Sequence, residues 1–351
     1  MNKWQTQLFV DPSDGCVMSL DTYVSAKPYH LLAEALQDDL AAMDRLIQER
    51  MQSRNAPLIP EITAHLVEAG GKRVRPMLTL AVARLFGYRG DDHHRLAATV
   101  EFIHTATLLH DDVVDEGLQR RGRPSANLLW DNKSSVLVGD YLFARSFQLM
   151  VETGSLPVLG VLSQAAAILA ESEVLQLSAA ASLETSEEMH LSILRGKTAA
   201  LFAAAAEVGG IVAGANERQV EALREFGDAF GIAFQIADDM LDYFGDAETT
   251  GKEPGNDFRE RKLTLPAIKA VANASAEERA FWQRTIERGE QEDGDLERAL
   301  ELIAVHGAAA AAREQALEWS ARAKGALELL PDHELRDMLH DLTEYVVVRL
   351  V

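Results

Sequence analysis

The sequence predicts an all-α protein built as one large domain. Alternation of apolar and polar residues, the mark of strands, is nearly absent. Apolar residues instead recur at helical spacing, as at Phe226, Phe230 and Phe234. Glycine and proline clusters interrupt this pattern often enough to predict roughly a dozen helices. No low-complexity linker divides them, so we expect a single helical bundle.

The order of the elements follows from where these patterns start and stop. One helical stretch begins around Leu31 and Leu32, and another carries Leu96, Val100 and Ile103. The breaks that separate the predicted helices lie at residues 57–60, 70–76, 87–90, 122–124, 154–157, 209–214 and 251–255. Runs of alanine at 179–181, 203–206 and 308–312 predict close helix–helix contacts rather than disorder.

The N-terminal segment is expected to differ from the rest of the chain. Residues 1–28 contain Pro, Gly and Ser without periodicity and are predicted to form a loose N-terminal leader, while residues 29–351 form the domain. The N-terminus lacks the long apolar segment of a signal peptide and is too acidic for a transit peptide. The most apolar run, LPVLGVLSQAAAILA, is shorter than the roughly 20 residues of a membrane span. We therefore expect a cytoplasmic protein.

Composition excludes several classes of function. The 351 residues carry a net charge of -21, which should repel nucleic acid. Cys16 is the single cysteine, so a disulfide within the chain is impossible. A GxxxxGK[ST] loop is absent from the sequence, which argues against an ATPase.

Two aspartate motifs of the form Asp-Asp-x-x-Asp each follow an apolar helical stretch. Residues four apart share a helix face, so Asp111 and Asp115 point the same way, as do Asp238 and Asp242. Carboxylates without His or Cys partners favour Mg²⁺, which prefers oxygen ligands. The alternative is that both motifs are solvated helix ends. The full set of predicted metal ligands is Asp111, Asp112, Asp115, Asp238, Asp239 and Asp242.

Basic residues form islands near these motifs despite the acidic composition. GGKRVRP carries Lys72, Arg73 and Arg75 directly after a diglycine. The other islands are RRGRP with Arg120 and Arg121, GKT with Lys197 and Thr198, and GKEPGNDFRERK with Lys252 and Lys262. Arginine and lysine neutralise phosphate, and glycine lets the backbone approach it. Together the islands predict a polyanion site.

Five motifs, in their order along the chain, resemble those of the trans (E-type) polyprenyl diphosphate synthases of the long-chain type, which make octaprenyl and decaprenyl diphosphates. The motifs are GGKRVRP, DDVVDEGLQRRGRP, GKTAALF, FQIADDMLDY and GKEPGNDFRERKLTLP. The resemblance covers about residues 28 to 351. It implies an isoprenoid-synthase-type bundle around a central cavity, with the two aspartate motifs facing each other. It also implies a homodimer.

The resemblance further implies a role for each matching residue. Asp111, Asp115 and Asp238 would bind two or three Mg²⁺ ions that bridge the allylic diphosphate, with the other three aspartates in support. Isopentenyl diphosphate would bind to Lys72, Arg75, His104 and Arg121, and the allylic diphosphate to Arg120, Lys197, Lys252 and Lys262. Thr198 and Gln235 would stabilise the carbocation. The chain departs from the family pattern at Asn256 and at Arg261, where a glycine is common.

The implied reaction is head-to-tail condensation of isopentenyl diphosphate with an allylic diphosphate, farnesyl diphosphate by preference. Shorter-chain relatives carry a bulky aromatic residue shortly before the first aspartate, whereas this chain has Ala106 and Thr107. We therefore expect an octaprenyl to decaprenyl product, for a quinone side chain such as that of ubiquinone. Phe147, Leu149 and Met150 are candidates for the floor of the product tunnel. Product release is expected to involve transient contact with a membrane surface.

Other functions remain open at this point. A farnesyl or geranylgeranyl diphosphate synthase would share every motif and differ in product length. A class I terpene cyclase has one DDxxD motif and needs no second-substrate site such as GGKRVRP. The aspartate spacings of a head-to-head, squalene-synthase-like enzyme are not visible. A non-catalytic subunit of a heteromeric synthase usually loses aspartates, and all six are present here.

Overall fold

The computed structural model describes residues 8–10, 17–68, 71–120, 122–245 and 254–348. These residues are almost entirely helical, which confirms the predicted all-α class. Among them the β-structure consists of two short antiparallel pairs, Leu8–Val10 with Val17–Ser19 and Gln119–Arg120 with Arg123–Pro124, the second of which is called the RRGRP hairpin below.

Eleven described α-helices lie in the first two thirds of the chain, and most of them are long. They are α1 Leu20–Ala35, α2 Gln37–Arg50, α3 Leu58–Glu68, α4 Val74–Leu85, α5 Asp92–Val114, α6 Ala126–Leu129, α7 Asn132–Glu152, α8 Leu156–Ala179, α9 Glu187–Leu194, α10 Ala200–Val212 and α11 Glu217–Phe244. A π-helical turn, Arg195–Ala199, joins α9 to α10 without a break. Helix α1 overlaps the predicted leader from residue 20 onward, and the domain boundary at residue 28 stays a prediction.

Further helices, of four to 20 residues, follow α11 in the described part of the chain. They are Asn256–Arg259, Leu265–Ala272, Ala276–Trp282 continued by a π-helical turn Gln283–Glu287, Asp295–Val305, Ala308–Leu327 and Glu334–Val348. Trp282 and Phe258 lie at the centre of a second, smaller core in this region. This core supports the segment that returns from α11 toward the end of α5.

The main core is formed by α4, α5, α10 and α11, which neighbouring helices surround. The predicted phenylalanine stripe faces inward: Phe226 and Phe230 on α11 are fully buried, and Phe230 packs edge-on against Phe202 of α10. Burying such side chains contributes about 1.5–3 kcal/mol each. Helix α5 packs between α4 and α7 and ends at the first aspartate motif.

Helix α11 approaches the π-helical turn and α10 unusually closely. A Cβ atom built on Gly231 would lie 2.5 Å from Ala199 Cα, and one on Gly227 would lie 2.5 Å from Ala203 Cα. Only glycine permits such backbone contact. The two glycines therefore set the position of α11, and with it the second aspartate motif.

Helix α8 is the one described helix that is long and apolar enough to cross a membrane. It has 24 residues, more than the apolar run predicted from sequence, and it extends through Glu171 and Glu173. Only 28% of its most apolar window is buried inside the chain. Its inner side packs against α10 and the π-helical turn.

Candidate active site

The first aspartate motif lies at the C-terminal end of α5, and Asp115 caps this helix. Asp112 is buried and turns toward the RRGRP hairpin, where its Oδ1 accepts hydrogen bonds from Arg120 Nε at 2.7 Å and Nη2 at 2.6 Å. Asn127 Nδ2 donates to the Asp112 carbonyl at 3.1 Å. The hairpin is thus tied to the helix end, and Arg120 is held at the rim of the site.

The second aspartate motif lies in the last turns of α11. Asp239 is buried, and its Oδ1 accepts a 2.8 Å hydrogen bond from Gln235 Nε2 one turn earlier. Asp242 Oδ2 accepts a 2.9 Å bond from the backbone N–H of Asp257, so the helix Asn256–Arg259 docks on this motif. Asp238 is exposed.

Lys262, which the resemblance assigns to the allylic diphosphate, connects the two motifs. It lies five residues beyond Asp257 and its Nζ is 3.0 Å from Asp115 Oδ2 and 2.9 Å from Glu260 Oε2. Burial acts to lower the pKa of Lys262, but the two carboxylates raise it above its usual range, so the side chain is firmly cationic. A segment anchored on Asp242 therefore delivers a positive charge to Asp115 on the other helix.

Lys197 occupies the π-helical turn and faces α8. Its Nζ lies 3.0 Å from Glu173 Oε1. The pKa of Asp111 is raised to about 6, chiefly because the side chain is buried. The charge of Lys197 acts to lower this pKa, and the charge of Glu173 acts to raise it. These three groups therefore share one partly desolvated space. A π-helical turn widens the helix by one residue, and such turns are frequent at functional sites.

A hydrogen-bonded chain links the π-helical turn to the second motif. Thr198 Oγ1 donates to Gln235 Oε1 at 2.8 Å, and Gln235 Nε2 donates to Asp239. Thr198 is buried. The two residues that the resemblance assigns to carbocation stabilisation are thus in contact, and they also orient a carboxylate.

The GGKRVRP island is placed at the start of α4. Arg75 Nη1 lies 3.3 Å from His104 Nε2, and its guanidinium stacks over the Phe202 ring with 4.3 Å to the centroid. Lys72 has an exposed side chain, and its carbonyl accepts a hydrogen bond from Tyr29. Arg73, which has a left-handed backbone, forms an ion pair with Asp44 instead. Arg75 and His104 therefore lie together, and their binding of isopentenyl diphosphate stays a prediction.

Two predicted ligands, Arg121 and Lys252, lie outside the described residues.

The departure from the family pattern at Arg261 has a structural explanation. Its φ is +61°, which explains why glycine is common there, and its side chain donates to the Ile286 carbonyl at 2.6 Å. Asn256 Oδ1 accepts a 2.8 Å bond from Arg259. Both residues stabilise the segment that presents Lys262.

The carboxylates fit a hard divalent cation. Asp112 Oδ2 and Asp239 Oδ2 are buried oxygens that have no hydrogen-bond partner among the described residues, which is costly unless a cation compensates. Burial, with repulsion from Asp239 and Asp242, raises the pKa of Asp257 well above its usual range. Oxygen ligands with excess negative charge suit Mg²⁺.

The predicted chain-length residues do not share one environment. Ala106 is fully buried, and Thr107 is half-buried with its hydroxyl donating to the His104 carbonyl at 2.8 Å. Leu149 and Met150 are buried in the main core, whereas Phe147 is 43% exposed. A cavity of about 640 Å³ lies between α8, α10 and α11, and none of these five residues lines it. Their role in chain length stays a prediction.

Three residues near the site were not assigned a role from sequence. Glu173 pairs with Lys197, Asp257 docks on Asp242, and His190 Nε2 lies 3.4 Å from Asp239 Oδ2 with both side chains buried. Asp257 lies inside a quoted motif and could have been found from it. The other two lie in helices α8 and α9 with no local signal, because only the fold brings them to the site.

This arrangement defines a transferase that handles diphosphates, and comparison with known proteins identifies its family. The polyprenyl synthetase family pattern matches residues 56–303. The chain is 44% identical to the all-trans-nonaprenyl-diphosphate synthase (geranyl-diphosphate specific) of Rhodobacter capsulatus, over 91% of this chain and 97% of that protein. It is 42% identical to the octaprenyl diphosphate synthase of Escherichia coli K12, over 90% and 97% respectively.

Comparison with a solved structure supports the same family. The crystal structure of a decaprenyl diphosphate synthase from Rhodobacter capsulatus superposes with a TM-score of 0.90 and is 64% identical, covering 92% of this chain and all of that one. The chain belongs to the polyprenyl synthetase family. The predicted fold and the predicted trans-prenyltransferase activity of the long-chain type are thereby confirmed.

Proposed function

We propose that the chain condenses isopentenyl diphosphate head-to-tail with an allylic diphosphate to give an octaprenyl to decaprenyl diphosphate. The observation that carries this proposal is the contact of Lys262 with Asp115, because it brings the segment after the second aspartate motif to the first. One allylic diphosphate can then touch both motifs. The names of three relatives, which specify octaprenyl, nonaprenyl and decaprenyl products, support the product class.

The two diphosphate substrates bind to different groups of cationic side chains. Arg120 and Lys262 pair with Asp112 and Asp115 of the first aspartate motif, and Lys197 pairs with Glu173 of α8. These three cations are therefore placed to bind the allylic diphosphate as it enters. Arg75 and His104 lie together on the α4–α5 side and would bind isopentenyl diphosphate, with Lys72. Charge-assisted hydrogen bonds of this kind are the strongest available for phosphate recognition.

Mg²⁺, when bound, neutralises the departing diphosphate and so favours its release. Asp111, Asp115 and Asp238 are the proposed ligands, and the unpartnered oxygens of Asp112 and Asp239 support a multi-ion site. Thr198 and Gln235 present oxygen atoms on one side of the site, where they stabilise the allylic cation. The proton lost after condensation is accepted by the released diphosphate.

We further propose a cytoplasmic homodimer. Helices α7 and α8 expose apolar side chains that are not covered within one chain, including Leu137, Val151, Leu156, Val174 and Leu177. Patches of this kind mark protein interfaces. A second copy is the expected partner, and a quinone side chain the expected destination of the product. Contact with a membrane surface during product release is part of the same proposal.

Calorimetry tests the site. Binding of a non-reacting allylic thiodiphosphate should require Mg²⁺, and Asp115→Asn or Asp242→Asn should abolish it while Asp332→Asn, on an exposed surface, leaves it unchanged. Mg²⁺-independent binding of equal affinity in all variants would contradict the proposal. Turnover by the purified single chain separates an enzyme from a subunit that needs a different partner. The mass of that chain in solution tests the homodimer.

A further inference from the structure

A second cluster of metal-ligand side chains lies at the opposite end of α5 from the aspartate motif. Asp39 of α2 is buried and meets His93 and His94, which stand in the first turn of α5. One ligand atom from each of the three residues lies within 4.8 Å of the others. Helix α5 has 23 residues and is about 35 Å long, so this cluster is remote from the proposed Mg²⁺ site.

The contacts of Asp39 Oδ1 are more crowded than hydrogen bonding requires. This one oxygen lies 2.8 Å from His94 Nε2, 3.1 Å from His93 Nε2 and 2.7 Å from Arg84 Nη2. A carboxylate oxygen has about two acceptor sites. Three nitrogens therefore converge on an oxygen that can accept from two. Burial opposes ionisation, but these donors hold the pKa of Asp39 well below its usual range.

The two imidazoles are arranged as a pair. Their ring centroids are 3.9 Å apart with 33° between the planes, and both Nε2 atoms are directed at the same carboxylate oxygen. His93 is 1% exposed, and its Nδ1 has no hydrogen-bond partner within the part of the chain that the structure describes. The hydrogen bond that His93 makes there is the one between its Nε2 and Asp39. His94 is partly exposed, which leaves an open side for water or for entry of an ion.

We propose that Asp39, His93 and His94 form a structural site for a zinc-type divalent transition metal that joins α2 to the start of α5. Two imidazoles and one carboxylate are a common ligand set for such ions, with water completing the shell. The nitrogen–oxygen spacings of 2.8 and 3.1 Å are shorter than the edge of about 3.3–3.4 Å that bonds of about 2.0–2.1 Å give a tetrahedral metal site, so the ligand atoms would move apart slightly when the ion binds.

Arg84 is compatible with this site as a partner of the carboxylate. Its Nε donates to Asp39 Oδ2 at 2.8 Å and its Nη2 to Oδ1 at 2.7 Å, so a metal ion bound to Oδ1 would take the place of Nη2 while the bond from Nε to Oδ2 remains. Hydrogen bonds of this kind orient ligating carboxylates in metal proteins. Asp38 is a further negative charge close to Arg84, and Asp91 and Asp92 are negative charges close to Tyr88. These carboxylates partly offset the positive charge that a metal ion would add.

The test uses the full chain, stripped of metal and then held in excess Mg²⁺ so that the aspartate motifs are occupied. Competition of Zn²⁺ with a chromophoric chelator should reveal one tight site per chain. His94→Asn, at a partly exposed position, should weaken this site by about 100-fold or more, since even loss of a neighbouring partner costs 10–100-fold. His340→Asn, outside the cluster, is the matched control and should bind as the wild type does.

Co²⁺ gives a readout that needs no variant. Bound to imidazole at low coordination number it should absorb visible light strongly, whereas Co²⁺ on the aspartate motifs alone should absorb weakly. Zn²⁺ should also raise the melting temperature of the wild type and of His340→Asn, but not of His94→Asn. The proposal is overturned if the wild type shows no saturable Zn²⁺ site in excess Mg²⁺, or if His94→Asn binds as tightly. The cluster would then be an ion-pair network only.

Discussion

Gly231→Ala tests whether close helix packing positions the site. The added Cβ would lie 2.5 Å from Ala199 Cα and 2.9 Å from Ala199 Cβ. Ordinary carbon contacts are about 3.5–4.0 Å, so α11 must move away from the π-helical turn by roughly 1 Å. Overpacking of this kind costs about 1–3 kcal/mol, against which the better helix propensity of alanine returns about 1 kcal/mol.

The functional effect should exceed the effect on stability. Gln235 lies one turn beyond Gly231, and its 2.8 Å bond with Thr198 would be lost by such a shift. A misplacement of about 1 Å can reduce kcat about 100-fold. Steady-state kinetics with labelled isopentenyl diphosphate measures kcat, and thermal unfolding measures stability.

Gly325→Ala is the matched control for Gly231→Ala. Gly325 also lies within a helix, Ala308–Leu327, but a Cβ there would meet no atom within 4 Å. It should keep wild-type kcat and gain slightly in stability. If Gly231→Ala behaves in the same way, the close approach of α11 does not position the catalytic groups and the reasoning fails.

Three further variants test separate parts of the structure. Met150→Ala should lengthen the product if Met150 is the tunnel floor, and should cost about 2–5 kcal/mol in unfolding free energy; Met43→Ala, at an equally buried position on α2, should cost as much without changing product length. Thr198→Val leaves Gln235 Oε1 without its donor, a loss of about 1–3 kcal/mol that should lower kcat about ten- to a hundredfold. Glu207→Gln should stabilise the protein at pH 7 and have no effect at pH 4, as measured by denaturant unfolding.

The sign of the Glu207 prediction follows from its pKa. Burial raises the pKa of this carboxyl, Arg224 lowers it and Glu221 raises it, with a net increase. The native state therefore holds the proton to a higher pH than the unfolded state does. Wild-type stability should fall as pH rises from the usual glutamate range through the raised native pKa, and the variant should not show this loss. Equal pH profiles for the two proteins would contradict the assignment.

The helices and the aspartate motifs could be predicted because both depend on short spacings. Phe226 and Phe230 are four apart and share a buried face, as the helical period requires. The same period places Asp238 and Asp242 together. The basic islands were recognisable because they interrupt an acidic sequence and lie beside these motifs.

Contacts between distant segments could not be predicted from spacing. Lys262 and Asp115 are separated by 147 residues, and only the docking of the helix Asn256–Arg259 on α11 brings them together. Arg120 was expected to bind the allylic diphosphate, and its pairing with Asp112 depends on the hairpin. The cluster of Asp39 with the two histidines carried no local signal, because two helices that are distant in sequence, α2 and α5, are needed to assemble it.

Product analysis tests the central claim most directly. Purified chain would be supplied with radiolabelled isopentenyl diphosphate, farnesyl diphosphate and Mg²⁺, and the dephosphorylated products separated by length. We expect a series that ends between octaprenyl and decaprenyl and that disappears when Mg²⁺ is removed. A series that stops at farnesyl or geranylgeranyl would keep the chemistry and refute the long-chain assignment. No incorporation by the folded chain would contradict the proposal that it is an enzyme by itself.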